Sequence, residues 1–172
     1  MEIHIKGHET IGGLLKERDR EFDVVLYTNS QIAPGDQNWP GHVVEKHCKE
    51  FIHMPIDDMD FVRKNYVIPS VESVKKVLDW SAGRDKLICC CHAGISRSSS
   101  TAYLIASREW GPKAALSILK PHKHWPNRLI VYFGSQVLND PTIWQTFVDW
   151  QLKETGLDPS RNGDWPLAIA SK

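Results

Sequence analysis

The chain has 172 residues, 41% of them hydrophobic, and its 21 lysines and arginines balance 21 aspartates and glutamates. That length suits one well-buried core and hardly two, and the charge balance excludes a net field that would steer the protein onto nucleic acid or an anionic membrane. No stretch has the pattern of a secretory leader or the length of a bilayer span, so a soluble, cytoplasmic monomer with reduced thiols is expected.

In chain order, short apolar runs alternate with amphipathic ones, the pattern of an α/β domain. "EIHIK" predicts a first strand, Asp23 to Thr28 a second, Glu50 to Ile56 a third and Lys86 to Cys91 a fourth. The expected fold is therefore α/β, a central, mostly parallel sheet of about four to five strands flanked by helices. "HETIGGLLKERDREF" predicts a first helix weakened by Gly12 and Gly13. "PSVESVKKVLDWSAG" makes a better one: Pro69 and Ser70 open it, Val71, Val74, Val77 and Leu78 share a face, and Gly83 stops it. Helices are then expected over Ser98 to Trp110, Pro112 to Leu119, Arg128 to Leu138 and Pro141 to Glu154. Residues 1–154 are read as one catalytic domain and 155–172 as a flexible tail on which Trp165 offers a docking anchor.

"CCCHAGISRSSS", Cys89 to Ser100, joins the fourth strand to the helix after it. Three contiguous cysteines make a poor disulfide framework, because neighbours cannot each cross-link distant parts of a fold. They also lack the spaced pairs that wrap a tetrahedral zinc ion, and His122 and His124 read as a solvated pair. At a strand-to-helix junction, backbone N–H groups and the first helical turn form an anion cradle. The dipoles that hold a phosphate there also favour a thiolate at Cys91. Arg97 can grip two oxygens of a phosphoryl group with its planar fork, and Ser98 places a hydroxyl beside the sulfur.

The cysteine, five residues, arginine, serine loop resembles the signature of the cysteine-based protein phosphatases, most closely the compact dual-specificity and bacterial tyrosine phosphatases. The likeness extends to "PIDDMD" upstream and "HWPNRLI" downstream. It implies a phosphoprotein phosphatase that hydrolyses phosphotyrosine, with phosphoserine and phosphothreonine as further candidates, through a phosphocysteine and without metal or cofactor. It further implies Cys91 as nucleophile, Arg97 as phosphate ligand, Ser98 as the group that eases departure of the sulfur, and His92, Ala93, Gly94, Ile95, Ser96 and Arg97 as the cradle. Asn127 falls where such enzymes buttress the loop. The general acid falls on Asp58 by the register of Pro69 and "ESVKKVL", with Asp57 and Asp60 as alternatives.

The sequence departs from the family at Cys90, where a histidine is usual. That leaves open an alternative, a catalytically impaired module that binds phosphorylated partners without turning them over. Residues 28–42, turn-rich and containing Trp39, are expected to wall the pocket, while Lys120, Lys123 and Arg128 are expected to form a positive rim for a phosphorylated protein or peptide. The loop itself carries no lysine, which favours singly phosphorylated side chains. Oxidation is expected to link Cys48 to Cys91 if the third strand neighbours the fourth.

Overall fold

The computed structural model describes residues 1–61 and 63–160. Four strands, β1 (Glu2–Gly7), β2 (Asp23–Thr28), β3 (Phe51–Pro55) and β4 (Lys86–Cys91), form one sheet in the order β1-β4-β2-β3 with every pairing parallel. Helices connect and cover them: α1 (His8–Glu17), α2 (Gly41–His47), α3 (Val71–Trp80), α4 (Arg97–Trp110), α5 (Pro112–Ala115), α6 (Arg128–Val137) and α7 (Pro141–Thr155).

A parallel sheet coated on both faces needs strands that are apolar on both sides, and β2 and β4 are such strands. Side chains alternate across them. Val25, Tyr27, Leu87, Cys89 and Cys91 pack with α3, α4, α6 and α7, whereas Val24, Leu26, Ile88 and Cys90 pack with α1 and α2. The run of three cysteines is thus the end of a buried central strand, split between two cores. The serines that follow have a parallel explanation. Helix α4 is buried along Arg97 to Ser107, so small polar side chains in its first turns need partners inside the protein. Ser99 Oγ donates to the Ile95 and Ser96 carbonyls, Ser100 Oγ to those of Ser96 and Asn127, and Thr101 Oγ1 meets Tyr27 Oη at 2.8 Å.

Several elements differ from expectation. The first helix stops at Glu17, because Arg20 takes a left-handed conformation and the chain turns to bury Phe22 in the core. Part of the expected wall segment forms α2, which buries Val44. In α3 the N-cap is Ser70, whose hydroxyl accepts from the Ser73 N–H. Val71 lies in the first turn, off the packed face, and is 38% exposed. The stretch after Gly111 makes one α turn and then a 3-10 turn over Leu116–Ile118. Of the expected tail, residues 161–172 and Trp165 lie outside the described residues. Its first residues stay on the body, since Pro159 is buried and its carbonyl accepts from Arg128 Nη1.

Candidate active site

Parallel strands deliver all their C-terminal ends to one edge, and ligands of open α/β sheets bind there. In this chain a cavity of about 580 Å³ opens at that edge. His8 enters it from the end of β1, Asn29, Ile32, Asn38 and Pro40 from the segment after β2, and Asp58 from the segment after β3. The loop after β4 supplies Cys91, His92, Ala93, Ile95, Ser96 and Arg97. The N-terminus of the fourteen-residue α4 lies at the end of this loop, and its dipole favours negative charge there.

Cys91 is 2% exposed and its Sγ lies 3.1 Å from Ser98 Oγ. Arg97, also 2% exposed, is fixed through Nη1, which donates to the carbonyls of Thr28 at 2.9 Å and of Ile56. Those carbonyls end β2 and follow β3, so two strand ends orient the guanidinium. Its Nε is buried without a hydrogen-bond partner and stands 3.9 Å from Asp58 Oδ2. A charged donor held in place, with no hydrogen bond yet made at Nε, is suited to an incoming oxyanion.

The three aspartates are separated clearly. Asp58 lines the cavity, and its Oδ1 accepts from Ser96 Oγ at 2.7 Å and from Asn127 Nδ2 at 3.1 Å. Asp57 turns away and is buried, accepting from the Ser30 N–H and hydroxyl and from the Val67 N–H. Burial pushes its carboxyl up, but these hydrogen bonds and the nearby Arg97 charge prevail and hold it below its ordinary value. Asp60 Oδ2 pairs with Arg128 Nε at 2.7 Å, outside the cavity.

Other expected site residues are placed elsewhere. Gly94 does not line the cavity; it has φ +71° and backs onto β1, where a Cβ would stand 2.7 Å from Gly7 N and Lys6 C. Gly94→Ala is therefore expected to cost about 1–3 kcal/mol through overpacking and backbone strain, read as a lower midpoint in urea. Trp39 is not a pocket wall. Its ring is 4% exposed, packs edge-on against His53 and donates from Nε1 to Glu45, because the apolar cluster beneath α2 buries more of it than a rim position would. Asn127 is likewise outside the cavity: it caps α6 with Oδ1 and steadies Asp58 with Nδ2.

The expected positive rim is not at this cavity either. Arg128 is occupied by Asp60, and Lys120 and Lys123 line a different cleft. His124 is 4% exposed rather than solvated, and burial with the charges of Lys123 and Lys120 brings its pKa down to about 4. Cys48 and Cys91 lie in different clusters on opposite faces of the sheet, with β2 between β3 and β4, so the expected disulfide has no path.

Sequence reasoning missed His8. Its Nε2 donates to the Tyr27 carbonyl at 2.8 Å and its ring meets His92 edge-on at 5.7 Å. Burial lowers its pKa, which favours the neutral ring. The available signal was a polar residue immediately after a strand, at the edge where parallel strands place their sites.

Among solved structures, the chain is similar to PTPMT1 in complex with PI(5)P, with a TM-score of 0.50 and 13% identity over 80% of this chain and 93% of that one. Similar too are Tk-PTP in its active form, at TM-score 0.49 and 16% identity over 84% and 92% of the two chains, and DUSP15, at 0.49 and 14% over 89% and 91%. The chain has the fold of the cysteine-based phosphatases. No family model matches it, and no curated protein does. Among the described residues no helix is long and apolar enough to cross a membrane.

Proposed function

We propose that the protein is a metal-independent phosphatase that removes phosphate from phosphotyrosine side chains, and to a lesser degree from phosphoserine and phosphothreonine, through a phosphocysteine. The observation that carries this reading is the placing of Cys91 Sγ, the unpartnered Arg97 Nε and Asp58 in one cavity at the N-terminus of α4. Cys91 attacks as the thiolate, forming an S–P bond as the P–O bond to the substrate breaks. Arg97 holds two phosphoryl oxygens, and Asp58 gives its proton to the departing oxygen. Water then attacks phosphorus, Asp58 takes its proton, and the S–P bond breaks with Ser98 Oγ donating a hydrogen bond to the leaving sulfur. Ile32, Pro40 and Ile95 give the cavity apolar walls for an aromatic ring on the way to a deeply buried sulfur, which supports phosphotyrosine as the preferred substrate.

Release of p-nitrophenol from p-nitrophenyl phosphate tests the reading. Turnover without added metal, unchanged by EDTA and blocked by vanadate, is the expected result. A phosphate-binding module would hold vanadate yet release no product, and activity abolished by EDTA would point to a metal enzyme.

A further inference from the structure

A second cleft, of about 610 Å³, lies on the other side of the loop that carries Cys91. Edge strand β1 forms one wall, the Ala93–Gly94 corner another, and the chain from Ser117 to His124 the third. Ala93 lines this cleft and the Cys91 cavity alike. Lys6, Lys120 and Lys123 line the cleft, no carboxylate lines it, and none of the three lysines has an ion-pair partner among the described residues. Elsewhere cations find acids, as Lys75 does in Asp79, Lys86 in Glu21 and Arg128 in Asp60. Gathering three like charges without a counter-ion opposes folding, and a bound anion relieves that repulsion.

One further polar group in the lining is unusual for a surface. His124 is almost fully buried, and its Nδ1 accepts from the Lys120 N–H at 2.9 Å. The tautomer is thereby set, and Nε2 carries the hydrogen with no hydrogen-bond partner among the described residues. Because the ring stays neutral down to about pH 4, it is a fixed donor rather than a further charge.

We infer that this cleft is a second oxyanion subsite, holding a phosphate-class group on Lys6, Lys120, Lys123 and His124 while the Cys91 cavity holds another across the Ala93 ridge. Two sources share that chemistry, a second phosphoryl group on the same substrate and free inorganic phosphate. The subsite deepens the proposed function and rests on it only for the group in the first cavity.

The experiment uses the full chain carrying Cys91→Ser, so that binding is read without turnover. Calorimetry compares a peptide bearing two phosphotyrosines with its singly phosphorylated forms, and imidazole nitrogen NMR follows His124 during titration with inorganic phosphate. A substrate-borne group predicts roughly tenfold tighter binding of the doubly phosphorylated peptide, beyond the statistical advantage of two phosphates, as expected for charge-assisted hydrogen bonds. That advantage should vanish in Lys120→Ala/Lys123→Ala, whose exposed side chains leave the fold undisturbed, and shrink as salt rises. Free phosphate as the source predicts instead a saturable His124 shift, lost in the same variant, with no peptide advantage. Equal peptide affinities together with an unmoved His124 would overturn the inference, as would an advantage or shift that survives loss of both lysines. A wild-type chain that releases no phosphate from p-nitrophenyl phosphate, while the Cys91→Ser chain shows the lysine-dependent effect, would refute the phosphatase reading and leave the subsite standing.

Discussion

Cys91→Ser is expected to abolish phosphate release from p-nitrophenyl phosphate, a loss on the order of 10⁴-fold or more, while leaving the fold and vanadate binding in place. The substitution replaces sulfur by oxygen at a buried position, so packing barely changes. What disappears is the nucleophile, since a serine hydroxyl has no adjacent base to ionise it. Steady-state assay alongside a urea melt separates the two effects. Retained turnover with an unchanged melt would sink the phosphocysteine mechanism. Ser98→Ala provides a finer reading: with the 3.1 Å contact to Sγ gone, breakdown of the intermediate should slow more than its formation, seen as a burst of p-nitrophenol.

Asp58→Asn is expected to lower kcat by about 10²- to 10⁴-fold on a phenyl phosphate whose leaving group needs a proton, and by less on p-nitrophenyl phosphate. Asp57→Asn should behave differently, because Asp57 joins the segment after β3 to Ser30 and Val67 rather than lining the cavity. Its main effect is on stability, about 1–3 kcal/mol from disturbed buried hydrogen bonds. The sign with pH follows from its lowered folded-state pKa. The stabilisation is present above the unfolded value of roughly 3.9 and is lost as pH falls through the lower folded value. The wild-type and Asp57→Asn melts should therefore converge in acid. A large catalytic loss at Asp57 or Asp60, with Asp58 silent, would reassign the acid.

The placing of the loop between a strand and a helix was legible from its residues because it is local. Cys91, Gly94, Arg97 and Ser98 sit within eight residues, at a junction between a strand and a helix that the change of hydrophobic period reveals. Strand positions were legible for the same reason, as were α3 with its Ser70 cap and the long α4. Boundaries were less so. The first helix was overextended to residue 22 because local pattern cannot anticipate that Phe22 is drawn into a core assembled from distant segments.

The sequence by itself determined the class of the fold and the strand-to-helix loop that carries Cys91 and Arg97, since periodicity, turn residues and a compact motif act over short spans of chain. Only the tertiary structure decided which of three neighbouring aspartates lines the cavity with Cys91, that Trp39 belongs to the core, that His8 joins the cavity, and that Lys120 and Lys123 line a different cleft. Strand order decided the rest: with β2 inserted between β3 and β4, Cys48 and Cys91 fall on opposite faces of the sheet. The physical reason is common to all of these. Each depends on contacts between residues far apart in sequence, whose geometry is set by packing the sheet between two helical layers rather than by any property of the residues taken in order.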